Sequence, residues 1–153
     1  MFSINCLFTH KLSKKQKLEI LKLKDIHWKH GLTSQLLHFT KNYKKNDLNN
    51  LLYYKKKLIG YTGLRKMNVI LNKKKINFLL FDTLIISKPY RNLGLSNLLM
   101  KFNNCVIKDH KTRSYLVCKN ELSKFYKKHG WRNYQKKGML KCNHKNQIVM
   151  FFN

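Results

Sequence analysis

One proline in 153 residues, Pro89, stands five positions ahead of Gly94, and the whole chain has only six glycines. Breakers this scarce limit where the backbone can change direction, so "KPYRNLGLSNLLM", Lys88 to Met100, marks an enforced turn. Before it lies the almost unbroken apolar run "INFLLFDTLII", which reads as a buried strand. After it, Leu95, Leu98, Leu99 and Phe102 recur at i, i+3, i+4 and i+7, the spacing of a helix with one buried face. A strand, a basic turn and a helix start therefore meet. The N–H groups from about Asn92 to Asn97 would lack partners within the helix and sit at its positive dipole end. Gly94 puts no side chain in the way of an anion, Ser96 is small and can donate a hydrogen bond, and Arg91 adds a fixed charge. The junction suits a phosphate. With one glycine it is neither a Walker A loop nor a G-x-G-x-x-G fingerprint, and a plain strand-to-helix turn reads the same way.

The rest of the chain supplies alternating elements. Phe2 to Phe8 reads as a short strand. "LSKKQKLEILKLKDIHW" opens on a capping box, Ser13 with Gln16 three residues later, and continues as a lysine-faced helix that Gly31 ends. "TSQLLHFTKNY" gives a second helix carrying Leu36, Leu37, Phe39 and Tyr43. From Asn49 to Ile86 three strands follow, with the lysine runs Lys55 to Lys57 and Asn72 to Lys75 as the turns between them. "RSYLVC" is a short buried strand. "NELSKFYKKHG" is a short helix that Asn120 can cap and Gly130 can stop, and "WRNYQKK" and "NQIVMFFN" close the chain as strands. With no repeat and no linker, residues 1–153 read as a single α/β domain in the order β-α-α-β-β-β-α-β-α-β-β.

A net charge of +27 invites a nucleic-acid partner. Lysine supplies nearly all of it, arginine occurs only at positions 65, 91, 113 and 132, and alanine is absent. That bias is what an AT-rich genome writes on any surface, and the basic residues are spread over every element rather than gathered on one. That spread, and the lack of a recognition motif such as the RRM aromatic pair, argue against a nucleic-acid-binding module, which stays as the alternative. The field itself is real and attracts anions. Cys6, Cys105, Cys118 and Cys142 form no C-x-x-C pair, and His27/His30 and Cys142/His144 lack a complete zinc ligand set, so buried thiols, surface imidazoles and no metal are expected. No apolar run approaches a bilayer span of ~20 residues, and the start, "MFSINCLFTHK", lacks the pattern of a signal peptide. No membrane association and a cytoplasmic setting are the expectation.

The order of elements and three separated motifs resemble the GNAT superfamily of acyl-CoA-dependent N-acyltransferases. "RNLGLS", Arg91 to Ser96, is similar to that family's R-x-x-G-x-[GA] pyrophosphate loop, with Ser96 in place of glycine or alanine. "LII", Leu84 to Ile86, resembles the strand just before the loop, and "FYKKHGW", Phe125 to Trp131, resembles the F/L-Y-x-x-x-G-F signature. Two departures stand out. Pro89 precedes the loop arginine by two residues rather than three, and Lys119 occupies the place of an asparagine that here falls one later, at Asn120.

The resemblance implies a mixed, mostly antiparallel central sheet flanked by helices. It implies acetyl-CoA as co-substrate, bound by Leu84, Ile85, Ile86, Arg91, Asn92, Leu93, Gly94, Leu95, Ser96, Asn97 and Asn120. The strand at Leu84 to Ile86 would splay from "SYLVC" and leave a gap for the pantetheine, with a backbone N–H near Ile86 facing the oxyanion. Tyr126 would protonate the departing thiolate, and its other reading is a core tyrosine on the face of Leu122 and Phe125. Asp82 is the one carboxylate in the central strands. Alternation sets it on the face of Leu84 and Ile86, where it could act as the base or pair with a lysine for structural reasons alone. The implied activity is acetyl transfer to a primary amine, on a small molecule or a peptide, by direct attack in a ternary complex. An inactive CoA-binding relative of the family is the further alternative.

Overall fold

Strand and helix signals fall in the expected order along the chain. In a computed structural model, which describes residues 1–71, 73–133 and 146–153, the strands are β1 (Phe2–Phe8), β2 (Leu48–Tyr54), β3 (Lys57–Leu71), β4 (Lys74–Ile86), β5 (Ser114–Lys119), β6 (Arg132–Asn133) and β7 (Gln147–Phe152). The helices are α1 (Lys14–His27), α2 (Leu32–Asn42), α3 (Leu95–Asp109) and α4 (Ser123–Lys128). One mixed sheet runs β1-β2-β3-β4-β5-β7-β6, antiparallel throughout except where β4 meets β5.

Local chemistry sets the boundaries. Ser13 Oγ accepts from Gln16 N at 3.1 Å while Ser13 N donates to Gln16 Oε1 at 2.9 Å, so the capping box forms and starts α1. The β2–β3 turn uses Lys55 and Lys56 at φ 47° and 65°, both left-handed, as a tight hairpin twisted to match its strands requires. Asn72, assigned to the next turn, lies outside the described residues, as do 134–137 of the expected "WRNYQKK" strand and the Cys142/His144 pair.

Helices cover both faces of the sheet. On one, Ile20, Leu21 and Leu23 of α1 and Phe39 of α2 pack with Leu51, Tyr61 and Ile85. On the other, Leu99 packs with Leu52, Ile59 and Ile86, while Met100, Ile107 and Trp131 pack with Leu64, Leu79, Phe81 and Leu116.

Three expectations need correction. Leu98 is 43% exposed rather than part of the buried face of α3. At about 100° per residue the buried arc drifts round to Met100, Asn103 and Ile107, leaving Leu98 behind it. In α2 Phe39 is buried, as is Tyr43 just after its end, while Leu36 and Leu37 face outward. Asn120 does not cap α4. It opens a 3₁₀ turn, Asn120–Leu122, and its backbone N–H donates to Asn146 O. Cys105 is exposed on α3, so the thiols are not all buried. Gly130 does end α4, at φ 82°, with its N–H donating to Lys127 O. No helix among the described residues is long and apolar enough to cross a membrane.

Candidate functional site

Parallel pairing between β4 and β5 is confined to Leu79 with Ser114 and Leu80 with Tyr115. Beyond these, β4 stays with β3 up to Ile86 and β5 turns to β7 along its whole length, so the two strands separate. A bulge sits where they part. Gly63 faces Thr83 and Leu64 faces Phe81, which leaves Asp82 as the extra residue without a partner on β3.

That bulge overturns the facing assigned to Asp82. Strict alternation would put it beside Leu84 and Ile86. The inserted residue resets the alternation, so Leu84 and Ile86 pack toward α3 while Asp82 and Ile85 face α1 and α2. The Asp82 carboxylate accepts the Tyr43 hydroxyl at Oδ2 (2.8 Å) and lies 3.9 Å from Arg65 Nη1 at Oδ1. Burial pushes the Tyr43 hydroxyl well above the ordinary tyrosine value, with the neighbouring Tyr61 and Asp82 adding to it, so Tyr43 stays a protonated donor.

The opened edge of β4 exposes backbone groups. Ser87 N donates to Ile59 O on β3 at 2.7 Å. Successive residues of a strand direct their N–H and C=O to opposite sides, so those of Ile86 face the gap. Ile86 O there accepts Arg91 Nε at 3.1 Å.

A cleft of about 380 Å³ fills this gap. Leu84, Ile85 and Ile86 form one wall, Arg91, Asn92 and Ser96 the turn above it, and Leu122, Phe125 and Tyr126 the wall opposite. At the turn, Asn92 and Gly94 take left-handed φ values of 61° and 73°. Gly94 is the N-cap of α3, no side chain caps that helix, and a Cβ added to Gly94 would meet no atom within 4 Å. The first-turn N–H groups of α3 are thus open to an anion, which fits a pyrophosphate beside Arg91. Arg91 Nη2 donates to His27 Nδ1 at 3.0 Å. Partial burial, then the Arg91 charge, lowers the His27 pKa and keeps that nitrogen an acceptor.

Tyr126 is 8% exposed, edge-on to Phe81 and Phe125. Burial, with Cys118 a lesser cause, pushes its hydroxyl up to about 12, so it carries its proton at neutral pH. Among the described residues no hydrogen bond engages that hydroxyl.

A second cavity of about 290 Å³ lies on the α1/α2 side of β4, lined by Lys24, Trp28, Gln35, His38, Asp82 and Thr83 among others. Thr83 of this cavity and Leu84 of the cleft are consecutive on β4, and Trp28 and His27 are consecutive at the end of α1, so the same two backbone segments wall both cavities.

Of the residues singled out in the sequence, the cleft gathers Leu84, Ile85, Ile86, Arg91, Asn92, Ser96 and Tyr126. Gly94 stands at the helix start above it. Leu93 is exposed, Leu95 is in the core with Leu99, and Asn97 Oδ1 pairs with His129 Nε2 at 3.0 Å. Asn120 is on the surface and Asp82 is in the second cavity. His27, Leu122 and Phe125 also line the cleft, though none was expected among the site residues. The helical spacing of Leu122, Phe125 and Tyr126 carried a signal for two of them; His27 figured only in the rejected His27/His30 zinc pair, and nothing in the sequence tied it to Arg91. Among the described residues no group of three or more His, Cys, Asp and Glu could hold a metal.

Comparison with known proteins agrees with this geometry. The family model described as "Acetyltransferase (GNAT) domain" matches residues 22–141. No curated protein sequence matches. Among solved structures, Escherichia coli ElaA superimposes with a TM-score of 0.77 at 16% identity over 100% of both chains. An acyl-CoA N-acyltransferase from Pseudomonas aeruginosa gives 0.74 at 14% identity over 99% of each. An aminoglycoside 6'-N-acetyltransferase complexed with coenzyme A gives 0.73 at 13% identity over 97% of this chain and 96% of that one. At these identities the superpositions establish the fold.

Proposed function

Since the chain belongs to the GNAT acetyltransferase domain family, we propose that it moves an acetyl group from acetyl-CoA to a primary amine by direct attack in a ternary complex. The observation that carries this reading is the parting of β4 from β5 beneath the uncapped start of α3. A solved structure of similar fold is a complex with coenzyme A, which supports placing that cofactor in the cleft.

In this reading the first-turn amides of α3 and the Arg91 guanidinium hold the pyrophosphate, and Gly94 lets it approach the backbone. Leu84 to Ile86, Leu122 and Phe125 exclude water from the pantetheine arm. Acetyl-CoA supplies the activated acyl group as a thioester. Ile86 N–H, left without a strand partner, donates to the carbonyl oxygen as negative charge develops there, a fixed dipole that needs no reorganisation. Asp82 takes the proton that the amine loses as the N–C bond forms. Tyr126, kept protonated by burial, gives its proton to the sulfur that retains the bonding pair as C–S breaks.

CoA release from acetyl-CoA, followed against a panel of amines, tests the proposal. Acylation of at least one amine class, at a rate that falls in Tyr126→Phe, is expected. A thermal shift with acetyl-CoA but no acylation of any amine would leave an inactive CoA-binding fold instead.

A further inference from the structure

The cavity beside the cleft has an unusual charge arrangement. Lys24 is 4% exposed, yet among the described residues its ammonium forms no hydrogen bond and no contact ion pair. The Tyr43 ring lies beneath it, its centroid 5.7 Å from Nζ. An ammonium carries three donors, and at the cavity wall those of Lys24 are left for an incoming acceptor. Burial lowers its pKa, Asp82 opposes that, and an anion bound there would favour the charged form. The nearby carboxylate, Asp82, is already engaged by Tyr43 and Arg65. The cavity walls thus offer one committed carboxylate and one surplus ammonium, set apart from each other.

Neutral groups complete the lining. His38 is held toward its neutral form by burial first and by Lys24 second. Gln35 Nε2 donates to Trp28 O at 2.9 Å, which fixes the end of α1 over the cavity. At about 290 Å³ the space suits a small molecule rather than a folded surface, and the +27 field of the chain draws in anionic groups.

Resting on the transferase reading above, we propose that this cavity selects an acceptor amine that also bears a carboxylate, the carboxylate on Lys24 and the amine facing Asp82. The transfer step is unchanged: the amine proton goes to Asp82 and the nitrogen lone pair forms the new bond. Lys24 serves in binding and takes no part in the proton transfers. A polyamine, in contrast, would set a second cation against Lys24.

The test is CoA release from acetyl-CoA by the full chain with matched acceptors, β-alanine against its amide and γ-aminobutyrate against putrescine. The carboxylate member of each pair should have a kcat/KM about tenfold to a hundredfold higher, the size of one charge-assisted hydrogen bond in a buried site. Lys24→Met should bring the members of each pair together, and Lys24→Arg should keep most of the preference. Lys24→Gln serves if the methionine variant does not fold. An amide or diamine that reacts equally well, or a preference untouched in the folded variant, overturns the proposal. So does a preference for phosphoethanolamine over both carboxylates. Calorimetric titration of γ-aminobutyrate into the protein, with and without CoA, reads the cavity without turnover. Saturable binding lost in Lys24→Met supports it and no binding in either state refutes it. A protein that binds γ-aminobutyrate but shows no thermal shift with acetyl-CoA would instead sink the transferase reading.

Discussion

Gly94 separates backbone strain from ligand binding in one pair of variants. Its φ of 73° is left-handed, and an added Cβ would meet nothing within 4 Å. Gly94→Ala therefore introduces strain and no clash, about 1–2 kcal/mol. In a domain of this size that lowers Tm by about 2–8 °C. Gly94→Glu carries the same strain, but its carboxylate can accept from the open N–H groups of α3 and gain about 0.3–1 kcal/mol from the helix dipole. The glutamate variant should thus melt no lower than the alanine variant. Acetyl-CoA at 100 times its Kd should stabilise the parent protein by about 2.7 kcal/mol, a rise of about 5–11 °C. Gly94→Ala should keep most of that rise. Gly94→Glu, with its own anion where the pyrophosphate sits, should lose it. The assay is a set of thermal melts with and without acetyl-CoA, with dephosphorylated pantetheine as a control that should shift none of the three proteins much. A full acetyl-CoA shift in Gly94→Glu would refute anion binding at this helix start.

Other substitutions probe the chemistry. Tyr126→Phe should lower kcat and kcat/KM equally, by about 10²–10⁴-fold for a general acid, while the acetyl-CoA melting shift persists. Because burial raises the Tyr126 hydroxyl to about 12, its proton is present throughout the usual assay range, and the pH–rate profile should show no limb from its ionisation below about pH 10. Asp82→Asn keeps the acceptor for Tyr43 but cannot take a proton, so kcat/KM should fall about 10²–10⁴-fold while the acetyl-CoA melting shift persists; an unchanged rate would return Asp82 to a structural role. Gly63→Ala drives a methyl into the Tyr43 hydroxyl and to 2.9 Å from that of Tyr61, and denaturant unfolding should show a loss of about 1–3 kcal/mol. Because Tyr43 orients Asp82, turnover should fall with it.

Local signals were the legible ones. The capping box at Ser13, the Phe2–Phe8 strand, the glycine stop at Gly130 and the helix start after Gly94 each rest on a few neighbouring residues. The cleft residues of the Arg91–Ser96 turn and Tyr126 were found through motifs that resemble a family. What depended on pairing or packing was not legible. The facing of Asp82 changes because β3 and β4 pair with an extra residue between Phe81 and Thr83, opposite a glycine crowded by two tyrosine hydroxyls. Leu98 falls off the buried face because the contact arc of α3 follows the sheet beneath it rather than the leucines. Lys24 looks like every other lysine of α1. Only the packing of α1 and α2 against β4 makes it the buried wall of a cavity.

Mass spectrometry of the full chain with isotopically labelled acetyl-CoA tests direct transfer at this cleft most closely. With acetyl-CoA alone, the intact protein should acquire no label. On adding an accepted amine, labelled product and free CoA should appear in equal amounts, at a rate that Tyr126→Phe reduces without weakening acetyl-CoA binding. Label that first accumulates on the protein and then moves to the amine would contradict direct attack. Unlabelled amines and intact acetyl-CoA across the whole panel would contradict the transferase itself.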